Sequence, residues 1–159
     1  MNNNITEYKS LSDFIKKDNV ITIKTVNNKK QLFSKISNLL EHETNFSHSS
    51  LSKIFLKNEN NKPTNIGSGV AIPNMQHNQI KSTNGCFIRL YNSIIYDSFN
   101  NDPVDLIFAL LSPVESSNGH LRMLAKTSRL LKNLDIQNKL RGAENDEALF
   151  EILIQTDLL

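Results

Sequence analysis

The stretch Thr64 to His77, reading T-N-I-G-S-G-V-A-I-P-N-M-Q-H, gathers the residues whose chemistry depends most on backbone shape. Gly67 and Gly69 bracket Ser68, and glycine lets a chain turn tightly or approach a ligand closely. Val70, Ala71 and Ile72 form a short apolar run that Pro73 stops, because proline fixes φ and removes a donor. Such a loop–strand–loop presents one side chain rigidly at a sheet edge, and here that side chain is Asn74. A carboxamide can donate and accept hydrogen bonds. Its nitrogen lone pair is delocalised into the carbonyl, so it is not a useful nucleophile. Ser68 has no adjacent His/Asp pair and reads as a turn residue. His77, three residues beyond Asn74, reads as an exposed loop histidine, and three extended residues span roughly 10 Å. His42 and His48 lie where one helix ends and the next begins and read as surface residues.

The elements that must hold these residues follow from periodicity. Residues 1–9 are expected to be a flexible tail and 10–157 one domain. Ser10 to Lys17 reads as a short helix, with Leu11, Phe14 and Ile15 on one face. The β-branched run Val20–Lys24 reads as a strand. Apolar residues at helical spacing predict helices over Asn28–Glu41 and Ser49–Asn58. After the glycine segment, Gly85–Leu90 and Ile94–Tyr96 read as two strands. Val104–Leu111 is almost continuously apolar between Pro103 and Pro113, as a strand buried on both faces would be. His120–Leu131 reads as a helix with Leu121, Leu124, Leu130 and Leu131 in the core. Asp135–Leu140 and Asp146–Ile154 close the chain as helices, the last capped by Asn145. Strands and helices alternate without repeat or linker, which argues for a single α/β domain with a central mixed β-sheet flanked by helices.

Composition narrows the partners. The chain has 159 residues, 38% hydrophobic and 21% charged, and a formal net charge of +2, so bulk charge gives nucleic-acid binding no support. The Lys16-Lys17 and Lys29-Lys30 pairs read as solvated faces. The single cysteine, Cys86, sits in an apolar run, which fits a buried structural thiol in a reducing cytoplasm. Neither a signal peptide nor a membrane span is legible, so a cytoplasmic chain without membrane insertion is expected. No cofactor and no metal site are expected.

The run Gly67 to Pro73 resembles the active-site segment of the enzyme IIA domains of the bacterial phosphotransferase system, in the fructose/mannitol class and its nitrogen-regulatory branch. The family pattern is Gly-x-Gly-(Ile/Val)-Ala-Ile-Pro-His. Further markers come in family order. Asn101 to Pro113 is similar to the central strand and its exit. His120-Leu121 with Leu124-Ala125 is similar to the His-Leu-x-x-Leu-Ala helix. Leu140-Arg141 and Asp146-Glu147 with Leu149 follow the C-terminal pattern. The likeness runs from about Leu11 to Asp157. It implies a small mixed sheet with helices on both faces.

It also implies a chemistry. In the family the histidine after the proline carries a phosphoryl group; here Asn74 stands there. Transfer through histidine needs a free imidazole lone pair and donors for the phosphoryl oxygens. The resemblance makes His120, near a helix N-terminus, the phosphate-stabilising second histidine. It makes Gly67, Ser68 and Gly69 the phosphate loop. Where the family has an arginine this chain has Asn58, with Lys57 beside it and Glu59 kept; lysine supplies charge but not the bidentate fork. Two readings stand. One is a phosphocarrier fed by an HPr/NPr-like carrier protein, with His77 as substitute acceptor. The other is a binding-only regulator of transporters or sensor kinases, fixed in the unphosphorylated-like state. A sugar-specific enzyme IIA component is a further alternative.

Overall fold

The computed structural model describes residues 10–97 and 102–157; the expected tail at 1–9 and Asn101 lie outside them. Two long strands, β5 (Asn84–Ile95) and β6 (Pro103–Ser112), pair antiparallel at the centre. The six-stranded sheet runs β1 (Ile15–Ile23), β5, β6, β3 (Val70–Ala71), β2 (Asn65–Gly67), and β4 (Asn74–Gln76) also pairs with β6. β1 lies parallel to β5; β3 and β4 follow each other along β6, both parallel to it. The sheet is therefore mixed, as the alternation of elements predicts.

β6 is apolar on both faces because both are covered. Ile107, Ala109 and Leu111 join a core with α1 (Lys29–Leu40) and α2 (His48–Asn61), in which Phe33 and Phe55 meet edge to face at 5.1 Å. Leu106, Phe108 and Leu110 join the opposite core, shared with α3 (Ser117–Leu131), α4 (Leu134–Gly142) and α5 (Asp146–Asp157). Residues alternating along one strand thus feed two cores, which is what a pleated strand between helical layers does. Short polar side chains set the helix starts: Asn28 accepts from the Gln31 amide at 2.9 Å, Asn133 from Ile136 at 3.2 Å and Asn145 from Ala148 at 2.8 Å.

Three expectations are corrected. The helix expected over Ser10–Lys17 is a 3-10 turn at Leu11–Asp13 followed by β1. Pairing with β5 overrides the local periodicity: the Gly85 amide donates to Phe14 O at 2.9 Å, and the Phe14 ring packs where Gly85 has no Cβ. The two strands expected over 85–96 are one strand with a register shift between Arg89 and Ile94. Leu121, expected in the core, is 64% exposed; Met123 and Thr127 face inward in its stead, beside Leu131, which is buried as expected. Cys86 is fully buried, and burial pushes its thiol up to about 12, which keeps it protonated and inert. Among the described residues no helix is long and apolar enough to cross a membrane.

Candidate functional site

Asn74 starts β4, opposite Leu110 of β6, directly after Pro73. A chain of hydrogen bonds places it. Glu59, on the last turns of α2, accepts from the Thr64 amide at 2.7 Å and the Thr64 hydroxyl at 2.8 Å. The Ile72 amide donates to Thr64 O at 3.1 Å, and the Asn74 Nδ2 donates to Ile72 O at 2.9 Å. Asn58, one residue before Glu59, donates its Nδ2 to Asn74 O at 2.9 Å. The end of α2 thus holds both the main chain and, through three links, the side chain of Asn74.

His120 comes to the same place from α3, in that helix's first turns, and is only 4% exposed. Its Nε2 lies 3.1 Å from Asn74 Oδ1, and its Nδ1 lies 2.8 Å from Ser112 Oγ. Ser112 ends β6 with no exposed surface, and its hydroxyl accepts from Thr83 Oγ1 at 3.4 Å. Burial pulls the His120 pKa below its ordinary value, so the imidazole is neutral at neutral pH. The two residues singled out at 74 and 120, 46 positions apart in sequence, are therefore in direct contact.

The other candidates lie elsewhere. His77 follows β4 on the opposite face from Asn74, three positions on. Its ring packs on Phe46 with centroids 4.8 Å apart, and its Nδ1 accepts from the Gln79 amide at 3.1 Å. The Lys57 side chain is exposed on α2 and makes no hydrogen bond or ion pair with a described residue. His42 is exposed, and His48 is half-buried between Ser34 and Glu41.

Gly67, Ser68 and Gly69 form the β2–β3 turn, with φ of 90°, 58° and 82°, all in the left-handed region. This turn sits beside Asp105, five positions along β6 from the residue facing Asn74, or roughly 17 Å at the usual strand rise. It is occupied by Arg141: Nη2 donates to Ser68 O at 2.7 Å, while Nε and Nη2 fork onto Asp105 at 2.8 Å each. A Cβ on Gly69 would fall 2.5 Å from Arg141 Nη2. The glycines here make room for a guanidinium, and the turn is not brought to the Asn74–His120 pair.

Sequence reasoning missed Ser112, Thr83 and Thr64 as partners of the site. The one mark any of them carries is that Ser112 is a hydroxyl ending a nearly apolar run, which does not say what it meets. Among the described residues no group of three His, Cys, Asp or Glu side chains is placed to hold a metal.

Comparison with known proteins agrees with this architecture. The family model "Phosphoenolpyruvate-dependent sugar phosphotransferase system, EIIA 2" matches residues 13–156. A nitrogen regulatory protein of Bradyrhizobium diazoefficiens is 31% identical over 143 residues, covering 90% of this chain and 94% of that protein. The nitrogen regulatory protein of Escherichia coli K12 is 32% identical over 131 residues, covering 81% and 80%. The crystal structure of nitrogen regulatory protein IIA-Ntr from Neisseria meningitidis superposes with a TM-score of 0.83 at 30% identity, covering 90% of this chain and 98% of that one. The chain belongs to the EIIA 2 family of the phosphotransferase system and is a homologue of its nitrogen regulatory proteins.

Proposed function

We propose that this chain is a nitrogen-regulatory IIA-like protein that binds its partners without ever carrying a phosphoryl group. The observation that carries this reading is the Asn74 carboxamide in contact with His120. Its nitrogen, already a poor nucleophile, is spent as a donor to Ile72 O, and its oxygen faces His120. The resemblance assigns the acceptor imidazole to this position. Asn74 keeps the hydrogen bonds a neutral imidazole would make there and lacks the lone pair that attacks phosphorus. The chain then offers partners one constant surface. Such partners are transporters or sensor kinases, and an HPr/NPr-like carrier docks without transferring phosphate. His77 is poorly suited as substitute acceptor, since it lies on the other face against Phe46.

The same geometry says how acceptor chemistry would be restored. In Asn74→His, the ring Nδ1 occupies the place of Nδ2 and donates to Ile72 O. That fixes the tautomer with a bare Nε2. The test is incubation with phosphoenolpyruvate, enzyme I and an HPr-type carrier, followed by intact mass measurement. The wild-type chain is expected to gain nothing, and Asn74→His to gain one acid-labile phosphoryl group. A wild-type adduct that disappears in His77→Ala would overturn the binding-only reading in favour of a phosphocarrier.

A further inference from the structure

The second imidazole of the site raises a separate question: whether His120 itself could serve as a nucleophile. We infer that Thr83 and Ser112 on one side and Asn74 on the other lock His120 as the neutral Nε2–H tautomer. Both ring nitrogens are then engaged, so His120 is a fixed donor toward residue 74 and is closed as a phosphoryl acceptor. The direction of every bond in the chain can be worked out from its ends. Ile72 O is a main-chain carbonyl and only accepts, so the Asn74 Nδ2 points at it. That turns Asn74 Oδ1, which also only accepts, toward His120 Nε2. Nε2 must therefore carry the proton. In a neutral ring Nδ1 is then bare and must accept. Its neighbour Ser112 Oγ, at 2.8 Å, donates to it, and the oxygen of Ser112 receives the Thr83 hydroxyl in turn. The series Thr83, Ser112, His120, Asn74, Ile72 O runs one way, each group donating to the next. Ser112 and His120 are 0% and 4% exposed, so water cannot readily take over a broken link.

Ser112 is thus a positioning residue acting through His120. Its hydroxyl occupies the single nitrogen lone pair that the tautomer leaves, and the proton occupies the other. The bearing on regulation rests on the reading of residue 74 as the acceptor position; the tautomer does not.

Nitrogen NMR of the His120 ring tests this without partner proteins or phosphate. In the isotope-labelled wild-type chain at neutral pH, two-bond proton–nitrogen correlations are expected to show Nε2 protonated and Nδ1 bare but hydrogen-bonded. Ser112→Ala should move the Nδ1 resonance to the position of a bare nitrogen without a donor, and Ser112→Thr should restore it. A hydroxyl that merely filled space would leave Nδ1 unmoved. If Ser112→Ala does not fold, the near-isosteric Ser112→Cys, a weak S–H donor, should move Nδ1 part of the way. A wild-type ring that is cationic or protonated at Nδ1 overturns the inference, and so does an Nδ1 resonance that none of these substitutions moves. Because phosphorylation plays no part, this outcome is independent of the Asn74→His assay.

Discussion

Glu59 is a carboxyl group with no exposed surface, and it is the residue on which the placement of Asn74 begins. One oxygen takes both Thr64 donors; the other lies buried without a hydrogen-bond partner, in a region shared with the Tyr96 hydroxyl and the Lys29 ammonium. Burial pushes its pKa above the ordinary carboxylate value, against the pull of the Thr64 bonds, Tyr96 and Lys29. The native state therefore binds this proton more tightly than the unfolded chain. The stability linked to it is fully present below the unfolded pKa and is lost as pH rises through the native one. Glu59→Gln keeps an oxygen for Thr64 and stays neutral at every pH. Relative to wild type it should gain stability as pH rises from about 4.5, the ordinary value, through the raised native pKa. Glu59→Leu strands two half-buried Thr64 donors and should lose about 1–3 kcal/mol at any pH. Urea titrations across pH measure both, and a pH-independent difference between Glu59→Gln and wild type would refute the argument. At this scale Asn74 and His120 were legible in sequence, because a proline punctuates one and family order marks the other. Ser112 and Thr83 were not, since a hydroxyl within or beside a strand gives no sign of which side chain it will meet.

At the scale of elements, the turn between β2 and β3 shows a sequence feature whose shape is as read and whose neighbour is a side chain of the same chain. Gly67 and Gly69 do supply positive φ, and the chain does reverse there. What approaches the backbone is Arg141 from α4, forked onto Asp105. The amides of Asp105 and Leu106 both donate to Gly69 O at 3.0 Å, which ties the turn to β6. The two glycines should then respond differently to alanine. Gly67→Ala meets nothing within 4 Å and suffers only its φ of 90°, about 1–2 kcal/mol. Gly69→Ala adds contacts of 2.5 Å to Arg141 and 2.7 Å to Asp105, bringing on the order of 1–3 kcal/mol more. Midpoints of urea unfolding for the two variants should separate accordingly; equal midpoints would mean the guanidinium yields freely. The same scale explains the misread start of the chain. Leu11, Phe14 and Ile15 are all buried, as an amphipathic helix would bury them, but a strand neighbour was available and the glycine at 85 admitted Phe14. Local periodicity carried no information about that neighbour.

For the whole molecule, the sheet and its two cores were foreseeable from the doubly apolar run in β6 and the alternation of elements. How the helical layer is fastened to the sheet was not. Arg89 lies mid-strand in β5 and is 6% exposed. Its Nη1 donates to Leu140 O at 2.8 Å and Ala143 O at 2.6 Å, where α4 ends, and its Nη2 donates to Thr22 Oγ1 on β1 at 3.0 Å. One guanidinium thus joins the two strands to the C-terminal carbonyls of a helix, of which Leu140 O also receives the Ala143 amide at 3.4 Å. Next to it, Asp146 at the start of α5 accepts from the Thr22 amide at 2.7 Å, so the same corner also holds the last helix. Nothing in the sequence signals this role, because a charged side chain in a strand ordinarily marks solvent. Removing it differs from removing half of a buried ion pair. Its acceptors are mostly main-chain carbonyls, which remain when the side chain is gone. Arg89→Met should therefore cost about 2–4 kcal/mol even though the apolar chain fills part of the space. For a chain of this length that is a fall in Tm of roughly 5–15 °C by calorimetry. Arg89→Lys should recover only part of the loss, because one ammonium does not reproduce the planar fork that spans Thr22, Leu140 and Ala143. A methionine variant as stable as wild type would mean that the helical layer is held by its apolar contacts alone. In that case the position of His120 on α3 would owe nothing to the corner formed by Arg89.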